Sequence, residues 1–177
     1  MKRMILFVSL ALMLIPASLM GQAKHQDYNL PEVPNRAKYI DFPSLDRGLW
    51  FATQLTPGYN MTQGFFAQAD LIAGYRFGEF IKVGAGLSPR YGAAGFALPI
   101  YLDARGNIIS QESRMAVPYW NLDAGYTIKQ GLYLSPTIGV RVGEPRNNFL
   151  AGATYILQQL GPGVFSHAIG IRLGYEF

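Results

Sequence analysis

The feature that most constrains this chain is the alternation of apolar and polar residues over residues 164–177. From Phe165 onward every second residue is large and apolar or aromatic, with His167 as the exception, and the residues between them are small or charged. A period of two predicts a β-strand with one apolar and one polar face. Such a strand needs an apolar medium on one side only, which is either a protein core or a lipid bilayer.

The same alternation recurs in seven earlier segments, and none of them shows a convincing helical period. The predicted strands are Leu49–Leu55, Phe65–Phe77, Ile81–Tyr91, Gly95–Arg105, Met115–Ile128, Leu132–Val142, Phe149–Gln158 and Val164–Phe177. Most of them exceed the roughly 5–6 residues common in soluble domains. A tilted strand of about eleven residues rises roughly 28 Å, close to the thickness of the hydrocarbon layer. The pattern predicts an all-β fold, a single antiparallel up-and-down transmembrane β-barrel of about eight strands.

The polar face of these strands carries mostly Gly, Ala, Ser and Thr, together with a few charges of both signs. A soluble barrel would cover that face with Lys and Glu, whereas small residues suit the crowded lumen of an eight-stranded barrel. Charges in a narrow lumen must be paired or hydrogen-bonded, so we predict a salt-bridge network there, with a gated ion path as the alternative. The predicted lumen charges are Asp70, Arg76, Lys82, Arg90, Asp103, Arg105, Asp123, Arg141, Arg172 and Glu176.

Aromatic residues on the apolar face are predicted to lie at two heights. One group comprises Phe65, Tyr91, Phe96, Tyr126 and Phe165, and the other comprises Tyr75, Phe77, Phe149, Tyr175 and Phe177. Two aromatic girdles around an aliphatic band are typical of the two interfaces of a bilayer. The sequence therefore favours lipid outside the barrel, and a soluble periplasmic carrier is the alternative.

The N-terminus has the pattern of an export signal. A basic pair at residues 2–3 precedes the apolar run Ile5–Ile15, and small residues follow Pro16. We interpret residues 1–23 as a cleaved signal peptide, 24–47 as an extended periplasmic tail or linker with a lumen plug as the alternative, and 48–177 as the barrel domain. After the signal, no stretch approaches the roughly 20 apolar residues of a membrane helix.

Candidate catalytic and metal-binding residues are sparse. The chain has no cysteine, which excludes disulfides, thiolate metal sites and a lipidated cysteine. The histidines are His25 in the tail and His167. Ser166 adjoins His167, but neighbours on a strand point to opposite faces, so the pair is not a nucleophile with its base. We predict no catalytic or metal-binding residue, no cofactor, no enzyme activity and no nucleic-acid partner.

The segments GYRFGEFIKVGAGL, VPYWNLDAGY and SPTIGVRVGEPRNNFLAGATY and the closing LGYEF resemble small outer-membrane β-barrels of the OmpA/OmpX kind. The chain is more closely similar to the exported barrels grouped as outer-membrane β-barrel or porin family proteins, over residues 48–177. The resemblance implies an integral, monomeric protein of the Gram-negative outer membrane, in contact with its lipid and lipopolysaccharide. It also implies that Tyr175 and Phe177 form the signal read by the barrel-assembly machinery.

The predicted function is a structural or interaction role with a side-chain-filled lumen. The alternatives are a narrow pore for small solutes and a lipid A-modifying enzyme. Strand parity places both ends in the periplasm and the short connections 56–64, 92–94, 129–131 and 159–163 outside, where such barrels usually have long loops. The longest connection, 106–114, falls on the periplasmic side, so either the strands continue further or one is miscounted. Bulges are predicted at Pro89, Pro99, Pro118 and Pro136, where ladder donors are missing.

Overall fold

The computed structural model describes residues 47–111, 114–144 and 146–177. The predicted signal peptide, residues 1–23, and residues 24–46 of the predicted tail lie outside the described residues. Among those described, no helix is long and apolar enough to cross a membrane. The described residues form ten strand segments: β1 Gly48–Asn60, β2 Gly64–Arg76, β3 Lys82–Leu87, β4 Arg90–Gly92, β5 Gly95–Ala97, β6 Pro99–Asn107, β7 Ala116–Thr127, β8 Gly131–Glu144, β9 Asn147–Gly161 and β10 Val164–Glu176.

The ten segments make eight spans of one closed antiparallel barrel. Strands β3 and β4 both pair with β2 in one continuous register, so together they form a single interrupted span. Strands β6 and β5 pair with β3 and β4, again in one register, and form the next interrupted span. Successive spans are neighbours, and β1 pairs with both β2 and β10, which closes the sheet. The predicted all-β, up-and-down barrel of eight strands is confirmed.

The short connections follow from strands that continue beyond the predicted limits, and no strand is miscounted. Strand β1 runs to Asn60 instead of Leu55, and β9 runs to Gly161 instead of Gln158. The connections 61–63, 93–94, 128–130 and 162–163 lie at one end of the barrel, called here the turn end. The opposite end, called the terminal end, holds the start of β1, the end of β10 and the connections 77–81, 108–115 and 145–146.

Gln111, in the longest connection between β6 and β7, is hydrogen-bonded to the 77–81 connection and to the adjoining ends of β8 and β9. The backbone N–H of Gln111 donates to Glu79 Oε2 at 2.9 Å. Its side-chain amide donates to the Gly143 carbonyl and to Asn148 Oδ1, both at 2.8 Å. Gln111 is buried. Gln111 therefore holds the first part of this connection against the mouth of the barrel.

The prediction of bulges at the strand prolines is wrong. Pro118 and Pro136 pair within β7 and β8 in the same register as the residues around them. Pro89 lies in the interruption between β3 and β4, and Pro99 is the first residue after the interruption between β5 and β6. The register is unchanged across both interruptions. Among the described pairings, the register shift lies beside Val164. A proline removes one donor without adding a residue, so the ladder can leave a gap and keep its register.

The core of the molecule is the lumen, because burial alternates along each span with the inward residues buried. Its apolar cluster is Trp50, Ala52, Ile72, Tyr101, Tyr133, Ile156 and Ala168. The sequence analysis did not assign Trp50, Ile72 or Ile156 to this side, although the period of two places each of them in an inward row. Trp50 fits because the paired residues Gly74 and Gly84 lie beside its ring and have no side chain.

Candidate functional site

The structure places all ten lumen charges inside the barrel, at exposures of 5% or less. The placement follows from local geometry, since each charge lies on the inward row of its strand. Six of them are cations and four are carboxylates. Burial of an unpaired charge is costly, so the partners of each group decide what the lumen can do.

Glu176, at the terminal end of β10, is the centre of the largest group of charges. Its Oε1 lies 3.0 Å from Lys82 Nζ and 3.3 Å from Arg76 Nη2. Its Oε2 lies 2.7 Å from Arg141 Nη2 and 3.6 Å from Arg105 Nη1. These four cations come from β2, β3, β6 and β8. One carboxylate thus connects five strands through the lumen.

Arg105 joins this group to a second carboxylate. Its Nε and Nη2 donate to the two oxygens of Asp103 at 2.7 and 2.6 Å, a bidentate pair. Its guanidinium carbon also lies 4.5 Å from the Trp50 ring centroid, a cation–π contact. We call Glu176, Asp103, Arg76, Lys82, Arg105 and Arg141 the Glu176 cluster. With four cations and two carboxylates, it carries a net charge of +2.

A second arrangement fills the middle of the lumen around Arg172 on β10. Its Nη1 donates to Asp123 Oδ2 and to Asn121 Oδ1, both at 2.7 Å, and its Nη2 donates to Ser135 Oγ at 3.0 Å. Asn121 Nδ2 donates to Asp123 Oδ1 at 3.1 Å and also to Asp103. Asn121 therefore links this arrangement to the Glu176 cluster. Eight of the ten lumen charges belong to one connected network.

Asp70, toward the turn end, is not in that network. Neutral donors satisfy its carboxylate: Gln68 Nε2 at 3.0 Å, Tyr101 OH at 3.1 Å, Thr56 Oγ1 at 3.4 Å, and the Ser88 hydroxyl. Gln68 Nε2 also donates to Tyr133 OH at 3.0 Å. A carboxylate that accepts several hydrogen bonds is stable without a cationic partner.

Arg90, also toward the turn end, is the remaining lumen charge. Its guanidinium carbon lies 5.3 Å from the Phe66 ring centroid. Within the described part of the chain, Arg90 forms no ion pair with a carboxylate, and its Nη1 is buried without a hydrogen-bond partner. The two charges outside the network therefore differ in their partners: Asp70 accepts several hydrogen bonds, whereas Arg90 keeps a buried N–H group without a partner.

The outer face of the barrel is apolar. Nine of the ten predicted interface aromatics are 45% to 77% exposed, and Phe177 is half-buried. Their positions along the strands put the Phe65 group beside the turn-end connections and the Tyr75 group toward the terminal end. Aliphatic residues such as Leu55, Ile138 and Ile171 lie exposed between them. Monomeric soluble proteins rarely expose so large and continuous an apolar surface.

Ser166 and His167 lie on opposite sides of the barrel wall. Ser166 is buried and donates to Asn60 Oδ1 at 2.8 Å, whereas His167 is exposed outside and its Nδ1 is hydrogen-bonded to the Tyr155 hydroxyl. The wall therefore keeps this hydroxyl away from this imidazole. In the described part of the chain, no three potential metal ligands are grouped.

No protein-family model matches the chain, and no curated protein sequence matches it. Similarity is found in three dimensions. Neisserial surface protein A aligns with a TM-score of 0.54 and 12% identity, over 72% of this chain and 95% of the other. The N-terminal β-barrel domain of Pseudomonas aeruginosa OprF aligns with a TM-score of 0.49 and 14% identity, over 72% and 97%. The Pseudomonas aeruginosa outer membrane protein OprG aligns with a TM-score of 0.41 and 14% identity, over 73% and 94%. At 12% identity, the likeness to Neisserial surface protein A shows the fold alone.

Proposed function

We propose that this chain is an integral outer-membrane β-barrel of a Gram-negative bacterium, with a structural or interaction role, a lumen filled by side chains, and no catalysis. One observation carries the proposal: the polarity of the barrel is inverted relative to a soluble protein. The ten lumen charges are buried, while the outer face is aromatic and aliphatic. That outer face is unfavourable in contact with water, whereas its contact with lipid stabilises the protein.

The dimensions of the strands support the same placement. Strand β1 has 13 residues, as do β2 and β10. With a rise of roughly 3.3 Å per residue and a tilt near 40°, such a strand crosses roughly 33 Å, enough for the hydrocarbon layer and part of its interfaces. The aromatic residues at the two strand ends would then contact the headgroup regions of lipid and lipopolysaccharide.

The lumen contacts support a closed barrel. Arg105 and Asp123 lie on β6 and β7, which are four and three spans away from β10 around the barrel. The Glu176–Arg105 and Arg172–Asp123 ion pairs therefore cross the lumen. In an eight-stranded barrel the side chains just fill the interior, and cross-links of this kind leave no room for a wide aqueous path.

The connections limit how the protein could recognise a partner. At the turn end, which we place outside the cell, the four connections have two or three residues each. Turns of that length present few side chains, so recognition by long mobile loops is ruled out for this end. A structural role, or an interaction through the barrel wall or the terminal end, is what this architecture favours.

The first experiment separates a membrane barrel from a soluble carrier. The full chain is expressed in a Gram-negative host and the envelope is fractionated. We expect the protein in the outer-membrane fraction, soluble only with detergent, and migrating differently on gels with and without heating. Recovery from the periplasm without detergent would overturn the proposal.

The second experiment tests the filled lumen and the absence of catalysis. We expect planar bilayers containing the purified protein to show no steady conductance, and a steady single-channel current would favour a narrow pore.

Mass spectrometry of host lipid A should show no change on expression of the protein. A change that His167→Ala abolishes would instead identify a lipid A-modifying enzyme.

A further inference from the structure

Arg90 differs from the other five lumen cations in having no ionic partner within the described residues. Arg76, Lys82, Arg105 and Arg141 each contact Glu176, and Arg172 contacts Asp123. Asp70 is the other lumen charge outside the connected network, and its carboxylate accepts hydrogen bonds from neutral donors. A buried guanidinium without an ionic partner is costly, and the cation–π contact with Phe66 offsets only part of that cost.

A small cavity lies at the same place, between the turns at the turn end. Its volume is about 20 Å³, and Arg90, Asn60, Gln63, Phe66 and Gln130 are among its lining residues. The rest of the lining comes from residues 64–65 and 92–97, and it includes no carboxylate. One water-sized species needs roughly 10–15 Å³ of such volume, so the cavity has room for a single small species.

Two amide side chains in this lining, those of Asn60 and Gln130, keep hydrogen-bond donors while their oxygens are engaged. The Asn60 side-chain oxygen already accepts from the backbone N–H groups of Thr62 and Gln63, at 2.9 and 3.0 Å, and from Ser166 Oγ. The Gln130 side-chain oxygen accepts from Gln158 Nε2. Each of these amides retains an N–H₂ group, which can only donate. Asn60 and Gln130, whose amides keep donors, and Arg90, whose Nη1 has no hydrogen-bond partner, therefore line one small cavity.

We propose that this cavity is a binding site for one small monovalent anion of halide size, held by the Arg90 guanidinium with help from the Asn60 and Gln130 amides. The anion would form the direct ion pair with Arg90 that no described carboxylate forms, and the apolar turn residues around it strengthen the charge-assisted hydrogen bonds. The site needs only the barrel fold, so it does not depend on the proposed membrane role or on whether the lumen conducts.

The test uses bromide and the full chain in a non-ionic detergent. Crystals grown in sodium bromide should show an anomalous peak within hydrogen-bonding distance of the Arg90 guanidinium. In solution, the thermal midpoint should rise saturably as bromide replaces gluconate at constant ionic strength. Arg90→Gln should shift the bromide titration by about tenfold or more, because hydrogen bonds to a charged group are lost.

Lys129→Asn is the matched control, since Lys129 is an exposed cation of the same end that does not line the cavity. Its backbone has φ of +67°, a conformation that Asn tolerates. The control should keep the wild-type bromide titration. Wild-type crystals without a peak at Arg90, or an unchanged titration in Arg90→Gln, would overturn the site. If Arg90→Gln does not fold, the wild-type crystals decide alone.

Discussion

Glu176→Gln is the substitution that should weaken this barrel most clearly, because this one carboxylate contacts four buried cations. Its side chain is fully buried and lies within 3.6 Å of Arg76, Lys82, Arg105 and Arg141. With Gln at this position, Asp103 is the one carboxylate left in the Glu176 cluster, whose net charge rises from +2 to +3. Removing one partner of a buried ion pair typically costs about 3–5 kcal/mol. We expect a loss of that size in the free energy of unfolding.

The assay is reversible urea unfolding of the full chain in lipid vesicles, followed by tryptophan fluorescence. The chain has two tryptophans, and Trp50 contacts Arg105 within the affected region. Glu144→Gln is the matched control, because Glu144 is exposed at the end of β8. The same chemical change there should alter the free energy of unfolding by no more than about 0.5 kcal/mol.

A second substitution identifies the cause of the loss as excess positive charge. Lys82→Met removes one of the four cations around Glu176 with a side chain of similar length. In combination with Glu176→Gln it should destabilise by less than the sum of the two single changes, because the residues share one network. Equal stabilities of Glu176→Gln and Glu144→Gln, or strict additivity of the double variant, would refute this reasoning.

Three further predictions concern packing, the terminal end and assembly. Gly84→Ala should lower the free energy of unfolding by about 1–3 kcal/mol, because the added Cβ would lie 2.7 Å from the Ala73 carbonyl oxygen and 3.0 Å from Trp50 Cζ2. Gly78→Ala is the control in the same unfolding assay, since nothing lies within 4 Å of its added Cβ. Gln111→Ala should speed amide hydrogen exchange in residues 108–111 with little change in the barrel midpoint, and unchanged exchange would contradict its role as a tie. Removal of Phe177 should lower the amount of protein assembled in the outer membrane, measured by the heat-dependent gel shift. The reason is that Phe177 exchanges backbone hydrogen bonds of 2.8 and 2.9 Å with Phe51 where the barrel closes. Normal assembly would contradict the assembly role proposed for Tyr175 and Phe177.

The number of spans and the direction of each side chain could be predicted from the sequence. Both depend on local geometry, because successive residues of a strand point to opposite faces whatever the partner strand is. The same argument assigned the ten predicted lumen charges to inward rows and the predicted interface aromatics to outward rows. Applied to the apolar residues of the inward rows, the same period of two also places Trp50 and Ile156 in the lumen. Chain composition alone gave no such information, since apolar residues lie on both faces of this barrel.

Only the tertiary structure decided which charges meet. Glu176 contacts cations from four other strands, whereas Arg90 contacts no carboxylate of the described residues, although both lie on inward rows. Such partners depend on strand register and on contacts between strands that are far apart in the chain. The ends of the strands were decided in the same way, since β1 reaches Asn60 by pairing with β2 along its whole length. Periodicity assigns a residue to a face of its own strand, and the closure of the barrel assigns its neighbours across the lumen.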